Sequence, residues 1–413
     1  MSIRYTLFGA LTALVLLGIV LLGKTVISHA QPDPALAGDA RAVAASANGF
    51  ALRLYAKLNT NPKSNLFFSP TSLSMALSMT YNGAAGQTKT DMAKVLGFTG
   101  MDLTTLNKGQ AALLDRMQKS DPKVDIAIAN ALFAQQDFKF LDDFLRRNKD
   151  YYHADIKNMD ITGDAGMKEI NGWVARQTHD RITDLLKPGD LNATMKLVLT
   201  NAIYFKGAWS LPFDKADTRN DAFTLPDGTT KQVPMMHLTK SFRYLKGETF
   251  QAVRLPYGQG RMSMYIFLPN TGVSLHDFSR HLTPANWGTW MGRFNEADIE
   301  LSLPRFKANY QEKMNASLSA LGMGNAFSND ADFSSMDGRR DLCISFVRHQ
   351  ATLDVNEEGS TATAATAVGM ELATAVYTRN TNIIFTVDHP FFCAIRDDDT
   401  GAILFMGNIV NPE

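Results

Sequence analysis

Cysteine is nearly absent from this chain of 413 residues, which contains only Cys343 and Cys393. Two cysteines cannot build the disulfide framework of a small secreted scaffold, and these two lack the C-x-x-C spacing of redox and zinc motifs. Cys393 lies in the apolar run from Pro390 to Ile395, where a free cysteine behaves as a small hydrophobe. We therefore predict two unpaired structural thiols, neither of them a catalytic nucleophile.

An excess of charge of one sign is also absent, because Lys plus Arg and Asp plus Glu each number 41. This balance argues against a nucleic-acid partner at the level of total charge. There is no G-x-S-x-G elbow, H-E-x-x-H motif or phosphate-binding loop, and the eight histidines show no metal-ligand spacing. The acidic runs Glu357-Glu358 and Asp397-Asp398-Asp399 are typical of solvated turns. We predict a protein that is not an enzyme and needs no metal or cofactor.

The first thirty residues differ in composition from the rest. Arg4 precedes an apolar run from Tyr5 to Gly23, which is followed by Lys24 and by the small-x-small end Ser28-His29-Ala30. This pattern predicts an export signal at residues 1–30 and a secreted protein, extracellular or periplasmic. The apolar run is nearly long enough to span a bilayer, so an uncleaved membrane anchor is the alternative.

Beyond this segment the chain shows no sign of a domain boundary. Residues 45–413 contain no Gly/Ser/Pro-rich linker, charge block or internal repeat. We predict a short linker at residues 31–44 and a single domain at residues 45–413.

Helical patterns occur mainly in the first half of the chain and strand patterns mainly in the second. Caps and apolar spacing predict helices at Asp39–Leu58, from Ser69-Pro70 onward, at Thr88–Leu96 and at Asn171–Leu186. Apolar or alternating runs predict strands at Val124–Ile128, Met195–Phe205, Val233–Met236, Ala252–Pro256, Met262–Leu268, Ile299–Leu303, Phe346–Val355, Ile383–Val387 and Ala402–Ile409. The fold class is therefore mixed α and β, with large sheets.

One connector between predicted strands has an unusual composition. The segment from Gly359 to Thr378 carries a single charge, Glu371, contains no proline and is otherwise mostly small, hydroxylated or β-branched. Such a segment has strand-forming capacity and, if left exposed, is an aggregation hazard. We predict that the chain reserves it for later strand pairing.

Eight short motifs, taken together and in their order along the chain, are informative. They are Asn65-Leu66-Phe67-Phe68-Ser69-Pro70-Thr71-Ser72, Tyr81-Asn82-Gly83-Ala84-Ala85-Gly86-Gln87-Thr88, Leu199-Thr200-Asn201-Ala202-Ile203-Tyr204-Phe205-Lys206-Gly207-Ala208-Trp209, Val233-Pro234-Met235-Met236, Ala331-Asp332-Phe333-Ser334, Glu357-Glu358-Gly359-Ser360, Asp388-His389-Pro390-Phe391-Phe392 and Phe405-Met406-Gly407-Asn408. In sequence and in order these motifs resemble those of the serpin family. The resemblance implies an α+β serpin fold with three β-sheets, about nine helices, a metastable native state and an exposed reactive loop at about residues 357–380.

The resemblance implies that the connector is the reactive loop of a single-use inhibitor of serine endopeptidases. A target protease forms an acyl-enzyme with the loop, and the cleaved loop then enters the main β-sheet as an additional strand, carrying the protease with it. Residues on the inward face of that strand must be small or apolar. The alternating positions are uncharged and none is large: Ser360, Ala362, Ala364, Thr366 and Val368. A non-inhibitory binding protein or chaperone with the same fold is the alternative.

The family's spacing of about seventeen residues from the first hinge glutamate, applied to Glu357, predicts the attacked bond. It falls between Ala373 and Thr374. The other candidates for the specificity residue are Leu372, Tyr377 and Arg379.

Ala373 suits an elastase-like or subtilisin-like target, because the primary pocket of a protease selects by size and charge. Tyr377 would suit a chymotrypsin-like target and Arg379 a trypsin-like one. A cysteine protease is a further class of target. We expect a monomer with no nucleic-acid partner, whose only membrane contact is the N-terminal segment.

Four polar residues match those that cluster where the central strands part in serpins, namely Ser69, Ser72, Asn201 and His349. Trp209 matches the aromatic residue at the point where the loop first enters. Buried polar groups at such a place must be hydrogen-bonded. The alternative is that each is only a core or cap residue, and Ser69 does have the pattern of a helix N-cap.

Overall fold

The computed structural model describes residues 34–119, 121–360 and 382–412. Among these residues the longer helices lie in the first half of the chain and most of the strands lie in the second half. The helices are α1 Pro34–Leu58, α2 Pro70–Tyr81, α3 Gly86–Leu96, α4 Leu103–Gln118, α5 Asp142–Tyr152, α6 Gly163–Gln177, α7 Leu275–Ser279, α8 Pro284–Met291, α9 Asn315–Leu318 and α10 Ser334–Asp337. The strands are β1 Leu66–Phe68, β2 Val124–Gln135, β3 Asp155–Met159, β4 Leu197–Ala208, β5 Arg219–Thr224, β6 Thr230–Lys246, β7 Phe250–Tyr257, β8 Met262–Pro269, β9 Asn295–Pro304, β10 Phe306–Lys313, β11 Phe346–Asn356, β12 Gly359–Ser360, β13 Ile383–Thr386, β14 Phe391–Asp397 and β15 Ile403–Ile409.

Strand β6 joins two groups of strands. Its last residues, Arg243–Lys246, pair with β7, whereas Met235–Tyr244 pair with β9. The first group contains β1, β15, β14, β8 and β7, and the second contains β5, β9 and β13. These two groups, continuous through β6, and a separate six-stranded sheet account for the three sheets of the predicted α+β fold.

The six-stranded sheet runs in the order β10-β11-β12-β4-β2-β3. Its strand β4 is the apolar run predicted as a central strand, and its first nine residues are buried. Helix α2 lies between this sheet and the first strand group, because it contacts β2 and β4 on one side and β15 on the other. All twelve of its residues are buried.

The predicted boundaries of two helices are wrong. Helix α1 begins at Pro34 rather than after Asp39, so residues 34–44, predicted as a linker, are helical. Helix α6 ends at Gln177, because the chain turns through positive φ angles of 52° at His179 and 57° at Asp180. The apolar spacing that predicted a helix as far as Leu186 reflects burial of those side chains and not helical conformation.

The acidic run at residues 397–399 is not a solvated turn at its first two positions. Asp397 is fully buried and accepts hydrogen bonds from Arg261 Nε at 3.0 Å and Thr400 Oγ1 at 2.6 Å. Asp398 accepts from Arg254 Nε at 2.9 Å and Tyr265 Oη at 2.7 Å. These carboxylates are structural ion-pair partners that bind β14 to β7 and β8.

Residues from Pro34 to the C-terminus form one compact unit. Every helix among the described residues is too short or too polar to cross a bilayer. The predicted signal or anchor at residues 1–30 lies outside the described residues.

Candidate functional site

Strands β4 and β11 are paired at one end and separated at the other. Val198–Tyr204 pair in parallel with Phe346–Thr352. Farther along, the two-residue strand β12, Gly359–Ser360, lies between β4 and β11 and pairs antiparallel with both. Gly359 and Ser360, two residues of the predicted loop hinge, therefore form a short additional strand inside the six-stranded sheet.

Gly359 is required where β12 meets β4. Its φ of 150° is one that residues with a side chain rarely adopt. A Cβ at this position would lie 2.0 Å from the carbonyl oxygen of Gly207 and 2.7 Å from Cα of Ala208. Because both obstacles are backbone atoms, no side-chain movement could relieve the clash.

Ser360 is fully buried beside the stacked rings of Tyr257 and Trp209, which we call the aromatic wall. Its Oγ lies 2.6 Å from the hydroxyl of Tyr257, and the Tyr257 ring stacks on Trp209 with centroids 4.3 Å apart. Burial raises the pKa of Tyr257 well above its ordinary value, so its hydroxyl stays protonated. Trp209 Nε1 donates to the Asn356 carbonyl oxygen at 2.9 Å. The predicted aromatic residue thus lies where β12 enters the sheet.

The two glutamates of the predicted hinge have different environments. Glu357 is 1% exposed, and its carboxylate accepts hydrogen bonds from Arg305 Nε at 2.7 Å and Thr218 Oγ1 at 2.5 Å. Burial opposes ionisation of this carboxyl group, but the hydrogen bonds outweigh it and hold the pKa of Glu357 below its usual value. Glu358 forms a more exposed ion pair with Lys215 at 2.6 Å. Glu357 is therefore not the solvated turn residue that the sequence predicted.

The four predicted polar residues Ser69, Ser72, Asn201 and His349 lie together and, with Asn130, form what we call the sheet-opening cluster. The Ser69 backbone N–H donates to His349 Nε2 at 3.1 Å. His349 Nδ1 must then carry the ring proton and donate it to Asn201 Oδ1. Asn201 Nδ2 donates to Ser72 Oγ at 2.6 Å and to Asn130 Oδ1.

Burial keeps His349 neutral, since it lowers the pKa of this imidazole to about 3. His349 and Asn201 are register partners across β11 and β4, and Asn201 and Asn130 are partners across β4 and β2. Ser69 is also the N-cap of α2, because its Oγ accepts the Ser72 backbone N–H at 3.2 Å. Separating β4 from β11 at this level would break the hydrogen bond between His349 and Asn201.

Sequence reasoning missed four residues of this region: Asn130, Thr218, Tyr257 and Arg305. Asn130 had a weak signal, as the one amide in the otherwise apolar run from Ile126 to Ala134. The other three come from distant elements and had no local signal.

The remaining predicted loop residues lie outside the described residues. They are Ala362, Ala364, Thr366, Val368, Leu372, Ala373, Thr374, Tyr377 and Arg379. Within the described residues, Cys343 and Cys393 are unpaired. The same residues contain no group of three or more His, Cys, Asp or Glu side chains arranged to hold a metal ion.

Comparisons with known proteins agree over nearly the whole chain. Residues 45–412 match the family described as Serpin (serine protease inhibitor). The chain is 38% identical to Serpin B6 of Macaca fascicularis, over 90% of this chain and 100% of that protein. It is 36% identical to Leukocyte elastase inhibitor A of Rattus norvegicus, over 89% and 99%.

Two solved structures have the same fold. The thermophilic serpin Tengpin in its native state matches with a TM-score of 0.81 and 30% identity, over 89% of this chain and 94% of Tengpin. Human thyroxine-binding globulin in complex with its ligand matches with a TM-score of 0.83 and 28% identity, over 91% and 99%.

Proposed function

The chain belongs to the serpin family, and from this premise we propose that it inhibits serine endopeptidases as a single-use suicide substrate. It is then a substrate of its target and not itself an enzyme. The observation that carries the proposal is strand β12, which lies between β4 and β11 and is antiparallel to both.

Complete insertion of the loop would continue β12 down the sheet. The parallel ladder between Val198–Tyr204 and Phe346–Thr352 would be replaced by two antiparallel ladders. Antiparallel pairing is slightly more stable per residue than parallel pairing, and a second ladder doubles the number of pairings. On this proposal the fully inserted state is the more stable one, and the native state is metastable relative to it.

The orientation of Ser360 determines which loop residues would face inward. Its side chain points into the aromatic wall at Tyr257. Since side chains alternate along a strand, Ala362, Ala364 and Thr366 would follow on the same face. These are small and uncharged, as rapid insertion requires, and Val368 extends the pattern.

The sheet-opening cluster would control how readily β4 and β11 part. Its hydrogen bonds join both strands and β2 to the N-terminus of α2. Three of these bonds are buried and the bond from Asn201 to Asn130 is partly buried, so a strand that separates must break the buried ones before water can replace them. We assign the cluster the role of holding the sheet closed until cleavage.

The attacked bond is assigned to Ala373 and Thr374, which favours an elastase-like or subtilisin-like protease. The relative named leukocyte elastase inhibitor supports this class of target. Leu372, Tyr377 and Arg379 are alternative specificity residues, and a cysteine protease is an alternative target. The protein would act as a monomer after export, or from a membrane to which residues 1–30 anchor it.

Gel analysis of protease mixtures tests the mechanism and the target class together. Residues 31–413 are incubated with pancreatic elastase, subtilisin, chymotrypsin and trypsin, followed by denaturing gels and intact-mass analysis. We expect a complex that survives detergent and a released peptide beginning at Thr374. A peptide beginning at Thr378 or Asn380 would retain the mechanism but move the attacked bond. Cleavage by every protease without a stable complex would contradict inhibition.

A matched pair of loop variants tests insertion itself. Ala364→Glu places a charge on the inward face and should convert the inhibitor into a substrate that is cleaved without forming a complex. Ala365→Glu places the same charge on the outward face and should leave complex formation intact. Equal complex formation by the two variants would contradict the proposed assignment of residue 364 to the inward face and residue 365 to the outward face of the inserted strand.

The likeness to thyroxine-binding globulin supports a second candidate, a non-inhibitory binding protein. A protein of that kind does not depend on loop insertion. Its ligand binding would be indifferent to Ala364→Glu, and neither variant nor the unmodified chain would form a detergent-resistant complex.

A further inference from the structure

Strand β3, Asp155–Met159, forms one edge of the six-stranded sheet and pairs only with β2. Among the described residues, no hydrogen bond reaches its backbone from the outer side. An edge of this kind presents a row of N–H and C=O groups to which another strand can pair. The sheet can therefore be extended at β3 by a strand from another molecule.

One face of this edge is apolar. A groove of about 480 Å³ lies between β3 and α5, and its apolar lining comes from Leu145, Ala154 and Ile156. Leu145 is 36% exposed and Leu141, four residues earlier, is 43% exposed. They are two of the four exposed large hydrophobic side chains among the described residues. Apolar surface gathered beside a free strand edge indicates a contact with another protein.

The other face of β3 carries one acid and one base, both held against α6. Asp155 Oδ2 accepts the indole N–H of Trp173 at 2.6 Å, and Lys157 Nζ lies 5.9 Å from the centroid of the same ring system. Asp155 and Lys157 approach each other only to 4.0 Å, and their side chains remain 48% and 40% exposed. Trp173 thus fixes the face that they share and leaves both charges open to a further partner.

The segment Asp155-Ile156-Lys157 is complementary in charge to a second copy of itself. When two such strands pair antiparallel about a twofold axis at Ile156, Asp155 lies opposite the partner's Lys157 and Lys157 lies opposite the partner's Asp155. The two Ile156 side chains meet on the groove side, because side chains alternate along a strand. Centring the pair on Asp155 or on Lys157 would oppose like charges, so the charges select one register.

We propose that two copies of this chain associate edge to edge through β3, antiparallel, with Ile156 on the twofold axis. The two free edges pair through their backbones, and the four charges form two cross-strand ion pairs. The edge is short, so the association is of the weak, concentration-dependent kind. Strands β2 and β4 lie between this edge and β12, so each copy retains by itself the proposed inhibitory mechanism.

Sedimentation equilibrium of residues 31–413, which contain the compact unit, tests the association without any protease. We expect a monomer–dimer equilibrium with a dissociation constant of roughly 100 μM or tighter, weakened by added salt. A chain that stays monomeric up to about 1 mM would overturn the proposal. Growth beyond dimers would overturn it too, because a twofold interface is closed once two copies have met.

Two charge variants test the register. Lys157→Asp and Asp155→Lys each oppose like charges at both cross-strand positions, so each variant alone should associate about tenfold or more weakly. An equal mixture of the two variants should associate again, because every acid then faces a base. Lys240→Asp changes an exposed lysine on β6 and should leave association unchanged. A mixture that associates no better than either variant alone would overturn the proposed register.

Cysteine cross-linking tests the position of the twofold axis and keeps both charged residues. Ile156→Cys places two Cα atoms about 5 Å apart, within the range of a disulfide, so mild oxidation should give a covalent dimer on non-reducing gels. Asn158→Cys is the matched control, because its two copies would lie roughly 14 Å apart and should not cross-link. Equal cross-linking of the two variants, or none of Ile156→Cys, would overturn the proposal. This pair decides the question if Asp155→Lys fails to fold.

Discussion

Acidification should weaken the native state through His349. This imidazole is fully buried and neutral, with Nε2 accepting the Ser69 N–H and Nδ1 donating to Asn201. A second ring proton would point at the Ser69 N–H and replace an attraction with a repulsion. Burial has therefore lowered the pKa of His349 to about 3, from an ordinary value of 6.5.

The sign and size of the effect follow from proton linkage. Because the pKa is lower in the folded state, the unfolded chain binds the proton first as the pH falls. The contribution of His349 to stability is complete above about pH 6.5 and is lost between pH 6.5 and about 3. The loss approaches about 1.4 kcal/mol per pH unit, which amounts to about 2 kcal/mol at pH 5.

Urea unfolding at pH 7 and pH 5 measures this loss, and His349→Gln provides the control. Glutamine can accept from Ser69 and donate to Asn201 but does not titrate. All other titrating groups are shared, so the difference between the two proteins in their pH-dependent loss isolates His349. We expect the unmodified protein to lose about 2 kcal/mol more than the variant. Equal losses would refute the assignment of a neutral, proton-excluding His349.

Three further perturbations have expected outcomes. Asn201→Ala removes the hydrogen bond that joins β4 to β11 at His349, so conversion to an inactive inserted form should be faster. An unchanged half-life of inhibitory activity on incubation would refute this. Arg305→Ala leaves the buried carboxylate of Glu357 without its cation and should reduce the free energy of unfolding by about 1 to 3 kcal/mol in urea titrations, with no reduction speaking against the ion pair. Burial opposes a positive charge on the His389 imidazole. Its hydrogen bonds to the Asp388 carboxylate at 2.7 Å and to the Pro269 carbonyl oxygen at 2.8 Å outweigh burial and raise its pKa. The stabilisation by His389 should be complete below about pH 6.5 and lost as the pH rises through the raised pKa. His389→Gln should therefore flatten the dependence of the unfolding free energy on pH between about pH 6 and 8. An unchanged dependence would count against this role of His389.

Local patterns predicted the elements whose cause is local. The N-cap at Ser69 depends on a hydroxyl, the following proline and a backbone N–H three residues away, and it is present as expected. Most of the run from Met195 to Phe205 lies in the central strand β4, Leu197–Ala208, where residues 197–205 are all buried and leave no solvated face. Gly359 belongs to the predicted hinge motif, and its φ and its contact with β4 explain why this position needs glycine.

The errors arose where burial and conformation depend on distant residues. Ile182 and Leu185 have helical spacing but belong to an irregular segment that is buried for other reasons. Asp397 and Glu357 belong to acidic runs that resemble solvated turns, yet arginines from other strands or turns compensate both charges. No local pattern could reveal those arginines.

By itself, the sequence determined the family, the class of fold and the small, uncharged composition of the segment after Ser360. These depend on residue types and their order, which ordered motifs and alternation report directly. Only the tertiary structure decided that β12 already lies between β4 and β11, and that His349 meets Asn201 across 148 residues of chain in a single tautomer. The reason is that the register between parallel strands arises from pairing between distant parts of the chain. The same pairing decides which donor each buried acceptor receives, and no local pattern encodes it.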